Sequence, residues 1–127
     1  MPFNWLEFYR LAQQLSGQTT DEAALRSAIS RAYYAAYHLA DERRKRNNIR
    51  LPFVGNAGIH LRLWSLFQTH PDRNCRKIGF DGDRLRKVRT VADYYLVFHN
   101  LRYELNLAMS DTQKLINSIN ALAPNLP

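Results

Sequence analysis

The amino-acid sequence predicts an all-α protein, an up-and-down bundle of four principal helices plus a short extra helix. Apolar residues recur three and four positions apart over long segments, which is the spacing of one face of an α-helix. Gly, Pro and helix-capping residues separate these segments, and no segment alternates apolar and polar residues as a half-buried strand does. The 127 residues suffice for one core, so residues 1–127 are predicted to form a single helical domain.

Capping signals place the first two helices. Asn4 stands three residues before a glutamate, as in a capping box, and Gly17 follows the last apolar residue of this segment. Residues 19–22 form a second capping box that opens a long second helix. The predicted spans are residues 4–16 and 20–46.

The other three helices follow a loop that contains Pro and Gly. Asp81 or Asp83 is expected to cap the fourth helix and Asn100 the fifth. Residues 72–82 are polar and include two glycines, so they are predicted to form the most mobile connection. The predicted spans are residues 59–69, 83–98 and 101–122.

The second helix carries two different faces. One face is apolar and mostly small, which would let neighbouring helices approach closely, so this helix is expected at the centre of the bundle. The other face is polar, but it bears an arginine, a phenol and an imidazole where an ordinary solvated face carries Lys and Glu. The apolar face comprises Leu25, Ala28, Ile29, Ala32, Ala36 and Leu39, and the polar face Ser27, Arg31, Tyr34, His38 and Asp41.

The charge balance favours a polyanionic partner such as RNA. The formal net charge is +7 and the pI is about 9.9, although the same field would attract an acidic protein. A basic run ends the second helix, where cations are favourable in any case. It is interpreted either as a solvated helix end or as a patch that contacts phosphates. The run comprises Arg43, Arg44, Lys45, Arg46 and, beyond the helix, Arg50.

Several chemistries lack support in the sequence. Cys75 is the single cysteine, which excludes an intrachain disulfide and a cysteine-rich zinc site. No Gly-rich phosphate loop is present, and His60 and His70 lack paired carboxylates. We therefore expect no metal and no cofactor. No apolar run could span a bilayer and no signal peptide is recognisable, so the expected location is the cytoplasm, without a membrane partner.

The polar face of the second helix is the first candidate site. In the functional interpretation Arg31 holds a phosphate, with Tyr34 beside it, and His38 titrates near neutrality. In the structural interpretation Arg31 pairs with Asp41 or Asp93, and His38 bonds a backbone carbonyl.

The fourth helix and the tyrosines supply two further candidates. Arg86, Arg89, Asp93 and Tyr94 form a polar group on the fourth helix, which is otherwise interpreted as a solvated charged face. Tyrosines interleaved with arginines suit base stacking along a phosphate track, or else they belong to the core and to an interface. These tyrosines are Tyr33, Tyr37, Tyr94, Tyr95 and Tyr103.

Two segments resemble the HEPN domain of prokaryotes. Residues 30–38 read SRAYYAAYH and residues 85–94 read LRKVRTVADY, and the resemblance covers roughly residues 3–122. It implies an up-and-down bundle that frequently dimerises and is often encoded beside a small nucleotidyltransferase. Many members are metal-independent ribonucleases that act as toxins or in defence against phage, and others are non-catalytic binding modules.

The chain departs from the family at the catalytic motif. Catalytic members carry Arg, four to six residues and then His on the later helix, whereas Arg89 is followed after four residues by Tyr94. The family's spacing occurs instead on the second helix, with six residues between Arg31 and His38. The expected catalytic set is therefore Arg31, His38, Arg89, Asp93 and Tyr94, and the expected nucleic-acid contacts are Tyr34, Arg43, Arg44, Lys45, Arg46, Arg50 and Arg86.

Two functional hypotheses follow. The first is an RNA-cleaving or RNA-binding protein of the toxin or defence type. The second is a non-catalytic interaction module that pairs as a homodimer or docks a nucleotidyltransferase or an antitoxin.

Overall fold

The computed structural model describes residues 2–17 and 21–123, and it confirms the all-α fold class. Within these residues there is no strand, and five helices pack against one another. Their order is α1 (Leu6–Ser16), α2 (Glu22–Arg46), α3 (Ile59–Gln68), α4 (Arg73–Tyr94) and α5 (Leu101–Asn120).

Helix α2 lies at the centre, as predicted, and contacts each of the other four helices. The alanines of its small apolar face are fully buried. Tyr33 and Tyr37 are buried as well, which confirms the core interpretation of these two tyrosines and contradicts base stacking by them. Their rings extend the core toward α3, where both contact Trp64, and they lie beneath the polar residues of α2.

The prediction for residues 72–82 is wrong. They form the first turns of α4, which begins at Arg73 and ends at Tyr94 rather than spanning residues 83–98. The N-cap is Asp72, neither Asp81 nor Asp83, and its carboxylate accepts a hydrogen bond from the Cys75 backbone N–H at 3.1 Å.

The two glycines in this segment serve packing rather than a loop. Gly79 and Gly82 are buried on the side of α4 that faces α3. A Cβ atom at Gly82 would overlap the indole of Trp64, and one at Gly79 would overlap the backbone of Gln68. The absence of side chains therefore lets α3 lie directly against α4, which fixes the position of the first turn of α3 beside α2.

The other caps agree only in part with the sequence signals. Asp21 caps α2 by accepting from two backbone N–H groups, while Thr19 of the predicted capping box lies outside the described residues. Asn4 accepts a hydrogen bond from the Leu6 N–H at 3.0 Å. Asn100 is the N-cap of α5, but in a left-handed conformation with φ 56° and without a side-chain cap bond.

Among the described helices, none is both long enough and apolar enough to cross a membrane.

Candidate functional site around Tyr34

Two cations and two imidazoles converge on the ring of Tyr34, which is half-buried on α2. The guanidinium carbon of Arg31 lies 5.1 Å from the ring centre, and that of Arg89 on α4 lies 5.6 Å from it. The two guanidinium carbons are therefore less than about 11 Å apart. The rings of His38 on α2 and His60 on α3 lie 6.0 and 5.6 Å from the same centre. We call these five residues the Tyr34 cluster.

Arg31 is held by aromatic rings rather than by a carboxylate. Its guanidinium carbon lies 4.7 Å from the centre of the Phe8 ring on α1, in addition to its contact with Tyr34. Arg31 does not pair with Asp41 or Asp93, the alternative that the sequence left open. Both of these carboxylates pair with other cations instead. The N–H donors of Arg31 therefore have no acceptor among the described residues, and they remain available to an anion.

Arg89 is the most buried cation of the cluster, at 7% exposure. Its Nη1 atom lies 3.6 Å from an oxygen of Asp93, which also accepts a hydrogen bond from Ser30. Its guanidinium lies over Tyr33 as well as Tyr34. The Nε atom is buried and has no hydrogen-bond partner in the described structure. A buried donor without an acceptor costs about 1–3 kcal/mol, so the fold holds this cation in place at a cost in stability.

His38 lies between aromatic rings. It stacks on Trp5 with ring centres 3.7 Å apart and an interplanar angle of 13°. The expected alternative, a hydrogen bond to a backbone carbonyl, is not found among the described residues. Burial lowers the pKa of His38, and Asp41 partly opposes this effect. His38 is therefore neutral at pH 7 and can accept a proton there.

His60 belongs to the site, although the sequence pattern does not predict it there. Its Nδ1 atom lies 2.8 Å from the hydroxyl of Tyr33, which in turn accepts the indole N–H of Trp64 at 2.9 Å. Burial, together with the positive charges of Arg89 and Arg86, lowers the pKa of His60 to about 4. No sequence signal identifies His60, because its role depends on the packing of α3 against two other helices.

Tyr33 determines which nitrogen of His60 carries the proton. Burial raises the pKa of Tyr33 well above its ordinary value, so the phenol keeps its proton. Its oxygen accepts from Trp64, and Nδ1 of His60 is the acceptor that the described residues offer to its proton, so we assign the hydroxyl as the donor to Nδ1. Neutral His60 therefore carries its proton on Nε2.

The remaining predicted residues of α4 differ in their placement. Arg86 pairs with Asp83 at 2.8 Å and lies close enough to His60 to affect its pKa. Asp93 contacts Arg89, as the i,i+4 spacing predicts. Tyr94 is 74% exposed and has no hydrogen bond or ring contact with another described residue. The structure thus does not bring Tyr94 into the Tyr34 cluster.

The basic run at the end of α2 is partly used within the fold. Arg43 donates to the carbonyl oxygens of Leu122 and Ala123, and Arg44 pairs with Asp41 and donates to another carbonyl. The more exposed members pair weakly or not at all with described residues. Lys45 lies 3.4 Å from Asp41 and Arg46 lies 3.8 Å from Glu42, while Arg50 is exposed without such a partner.

No group of three or more His, Cys, Asp or Glu side chains in the described residues is arranged to hold a metal ion. Burial raises the pKa of Cys75 to about 11, which keeps this buried thiol protonated.

No protein-family model matches the sequence, and no curated protein and no solved structure matches it significantly. The HEPN resemblance therefore remains a hypothesis that rests on the two sequence motifs.

Proposed function

We propose that this chain is a HEPN-like protein that binds and cleaves single-stranded RNA without a metal, as a toxin or a component of phage defence. The observation that carries the proposal is the pair of guanidinium groups at Tyr34. Among the described residues Arg31 has no carboxylate partner, and Arg89, whose own Nε is buried, adds a second positive charge less than about 11 Å away. A phosphate diester would supply oxygens to the donors of Arg31 and would be attracted by the charge of Arg89.

The net charge supports a polyanion rather than a single small anion. The +7 charge raises the local concentration of RNA, and the exposed cations Lys45, Arg46 and Arg50 extend the positive surface beyond the cluster. Phe8 and Tyr34 place aromatic rings beside Arg31, and Trp5 stacks on His38, so aromatic and basic residues stand together as in sites that bind unpaired nucleotides.

The proposed reaction is an intramolecular transesterification. Neutral His38 accepts the proton of a ribose 2′-hydroxyl, and the 2′-oxygen attacks the adjacent phosphorus. The bond from phosphorus to the 5′-oxygen breaks, and this oxygen takes a proton from water. Arg31 and Arg89 stabilise the additional negative charge of the pentacoordinate intermediate. The products are a 2′,3′-cyclic phosphate and a 5′-hydroxyl.

The experiment compares end-labelled RNA with DNA of the same sequence, both in EDTA. Wild-type protein is expected to cleave the RNA only and to leave 2′,3′-cyclic ends. Arg31→Gln is expected to reduce the cleavage rate roughly a hundredfold, because it removes one charged donor from the intermediate. Arg84→Gln is the matched control, since Arg84 is exposed on α4 and pairs with Asp81.

If Arg31→Gln and Arg84→Gln lose activity equally, the effect comes from the net charge of the protein, and a site at Tyr34 is contradicted. Binding of RNA by wild-type protein without cleavage would retain the binding function and exclude the catalytic one. If wild-type protein neither binds nor cleaves RNA, the proposal is wrong.

A second candidate function is a non-catalytic interaction module, and an exposed apolar surface favours it. Residues 94–97 at the end of α4 are exposed, with Leu96 at 95%, and Tyr103 and Leu107 of α5 are exposed too. We propose a second copy of this chain as the occupant, and a nucleotidyltransferase or an antitoxin as the other possible partner. Light scattering of wild-type protein and of Leu96→Ser tests this. A dimer that the substitution dissociates is expected, and a monomer at high micromolar concentration would contradict it.

A further inference from the structure

We propose that His60 is a fixed, uncharged hydrogen-bond donor of the Tyr34 cluster, which binds a phosphate oxygen of the RNA through its Nε2–H. This inference rests on the proposed function and adds a residue to the same site. It gives His60 a role different from that of His38, although both are histidines beside the same tyrosine.

The tautomer of His60 is fixed by a chain of two hydrogen bonds. Trp64 can only donate, and its indole N–H is directed to the oxygen of Tyr33. Among the described residues the proton of the Tyr33 hydroxyl has no acceptor other than Nδ1 of His60, so we assign it to that bond. These two hydrogen bonds run from Trp64 on α3 to Tyr33 on α2 and back to His60 on α3. The close packing of α3 on α4 at Gly82 holds Trp64 in place. This arrangement favours the tautomer of His60 that carries its proton on Nε2.

The free donor of His60 lies among the cations of the site. Its ring is 5.6 Å from the centres of both Tyr33 and Tyr34, the same two rings that Arg89 contacts. The Nε2 atom makes no hydrogen bond with a described residue and is not among the buried unpartnered atoms, so it is open to solvent. His60 also lies in the first turn of α3, whose N-cap Gly58 has no side chain to cap it. This end of a helix favours negative charge.

A neutral donor suits this position better than a second titrating group would. Arg31 and Arg89 already supply two positive charges, and a third charge beside them would be repelled. The low pKa of His60 agrees with this assignment. His60 then contributes direction rather than charge to the binding of a phosphate oxygen, while proton transfer is left to His38.

The first measurement is independent of activity. Nitrogen–proton correlation spectra of the histidine rings in the 127-residue chain are expected to show His60 protonated on Nε2 only, from pH 6 to 8. A 2′-O-methyl RNA oligonucleotide, which lacks the attacking hydroxyl, should then shift the His60 Nε2–H resonance downfield. Protonation on Nδ1, or an unchanged resonance at saturating oligonucleotide, would overturn the proposal.

The second measurement is the affinity of variants for the same oligonucleotide. His60→Leu removes the donor and is expected to weaken binding roughly tenfold, the value of one hydrogen bond to a charged group. His60→Gln retains an N–H near the position of Nε2 and should bind within about threefold of wild type. Equal affinities of His60→Leu and wild type, or equal losses in both variants, would contradict a role as donor.

The outcomes separate this inference from the proposed function. If wild-type protein cleaves RNA and His60→Leu binds the oligonucleotide normally, only the role of His60 is wrong. A different outcome is that inorganic phosphate shifts the His60 Nε2–H resonance of wild-type protein while RNA does not bind. In that case His60 is still a donor to an anion, and the RNA function is wrong. If wild-type protein binds neither inorganic phosphate nor RNA, both the role of His60 and the proposed function are wrong.

Discussion

The indole N–H of Trp64 lies 2.9 Å from the hydroxyl oxygen of Tyr33, and this buried hydrogen bond joins α3 to α2. It determines the direction of the next bond, from Tyr33 to His60, and therefore the proton position on the imidazole. A bond inside the core thus controls a group at the surface of the candidate site.

Removing the Tyr33 hydroxyl should destabilise the protein. Tyr33→Phe leaves the indole N–H of Trp64 buried without an acceptor, so the free energy of unfolding is expected to fall by about 1–3 kcal/mol. Urea denaturation measures this change. Tyr103→Phe is the control, because Tyr103 is 63% exposed and its substitution should change stability by less than about 0.5 kcal/mol. Equal effects of the two substitutions would contradict the role of Tyr33.

Adding a methyl group at Gly82 should also destabilise the fold. Ala normally stabilises a helix interior by about 1 kcal/mol relative to Gly, but at Gly82 the methyl group would overlap the indole of Trp64. We expect Gly82→Ala to lower the unfolding free energy by about 1–3 kcal/mol despite that gain. Gly58→Ala, with nothing near its added Cβ atom, is the control. A thermal melt that shows Gly82→Ala unchanged or stabilised would refute the close packing of α3 on α4.

The pH dependence of stability should reveal His60. Its pKa in the folded protein is about 4, below its ordinary value of 6.5, so the unfolded chain binds more protons between these pH values. His60 therefore stabilises the fold above pH 6.5, and this contribution is lost as the pH falls toward 4. The lowered pKa of His38 acts with the same sign.

His60→Gln tests this assignment. The groups that face His60 are the phenols of Tyr33, Tyr34 and Tyr37, the cations Arg86 and Arg89, and His38. With His60 removed, the unfolding free energy should fall less steeply between pH 6.5 and 4 than in wild type. Parallel curves from urea denaturation of the two proteins would show that His60 has an ordinary pKa.

The salt dependence of RNA binding should distinguish Arg31 from other arginines. Each phosphate contact that is lost reduces the slope of log affinity against log salt by about 0.7 for a single strand. Arg31→Gln is expected to reduce the slope by about this amount. Arg44→Gln should leave it unchanged, because Arg44 is already paired with Asp41. Fluorescence anisotropy with the 2′-O-methyl oligonucleotide measures both slopes. A reduced slope with Arg44→Gln alone would show that the phosphate contact lies in the basic run and not at Arg31.

Removing the carboxylate beside Arg89 should strengthen anion binding. In Asp93→Asn the Nη1 of Arg89 loses its ion-pair partner at 3.6 Å, so a phosphate meets less competition and less repulsion. We expect a several-fold lower dissociation constant for the oligonucleotide, together with a lower melting temperature. Weaker binding in this variant at full folding would indicate that Asp93 orients Arg89 for the ligand, as a positioning residue does.

Helical periodicity made the fold and part of the site predictable. Arg31, Tyr34 and His38 share one face of a single helix, and the Arg89–Asp93 pair follows from i,i+4 spacing, so both groups are visible in the sequence. Tyr94 is five residues beyond Arg89, which places it about 140° further around the helix. This rotation explains its exposure away from the Tyr34 cluster.

The missed features depend on contacts between helices. The glycines of residues 72–82 looked like loop residues because the sequence does not show that Trp64 fills the space they leave. His60 lacked a signal for the same reason, since its partner Tyr33 is 27 positions away in the chain. Local patterns identify helices and their faces, whereas these two features require knowledge of which faces meet.

The two tryptophans of the chain lie next to different imidazoles, which gives the site two separate optical reporters. Trp5 stacks directly on His38, so its fluorescence should respond when that ring gains a proton. Trp64 is one hydrogen bond from the partner of His60, and its buried indole should emit at shorter wavelength than the half-exposed Trp5. Single Trp→Phe substitutions would then let the two histidines be followed one at a time, without attaching a dye to the protein.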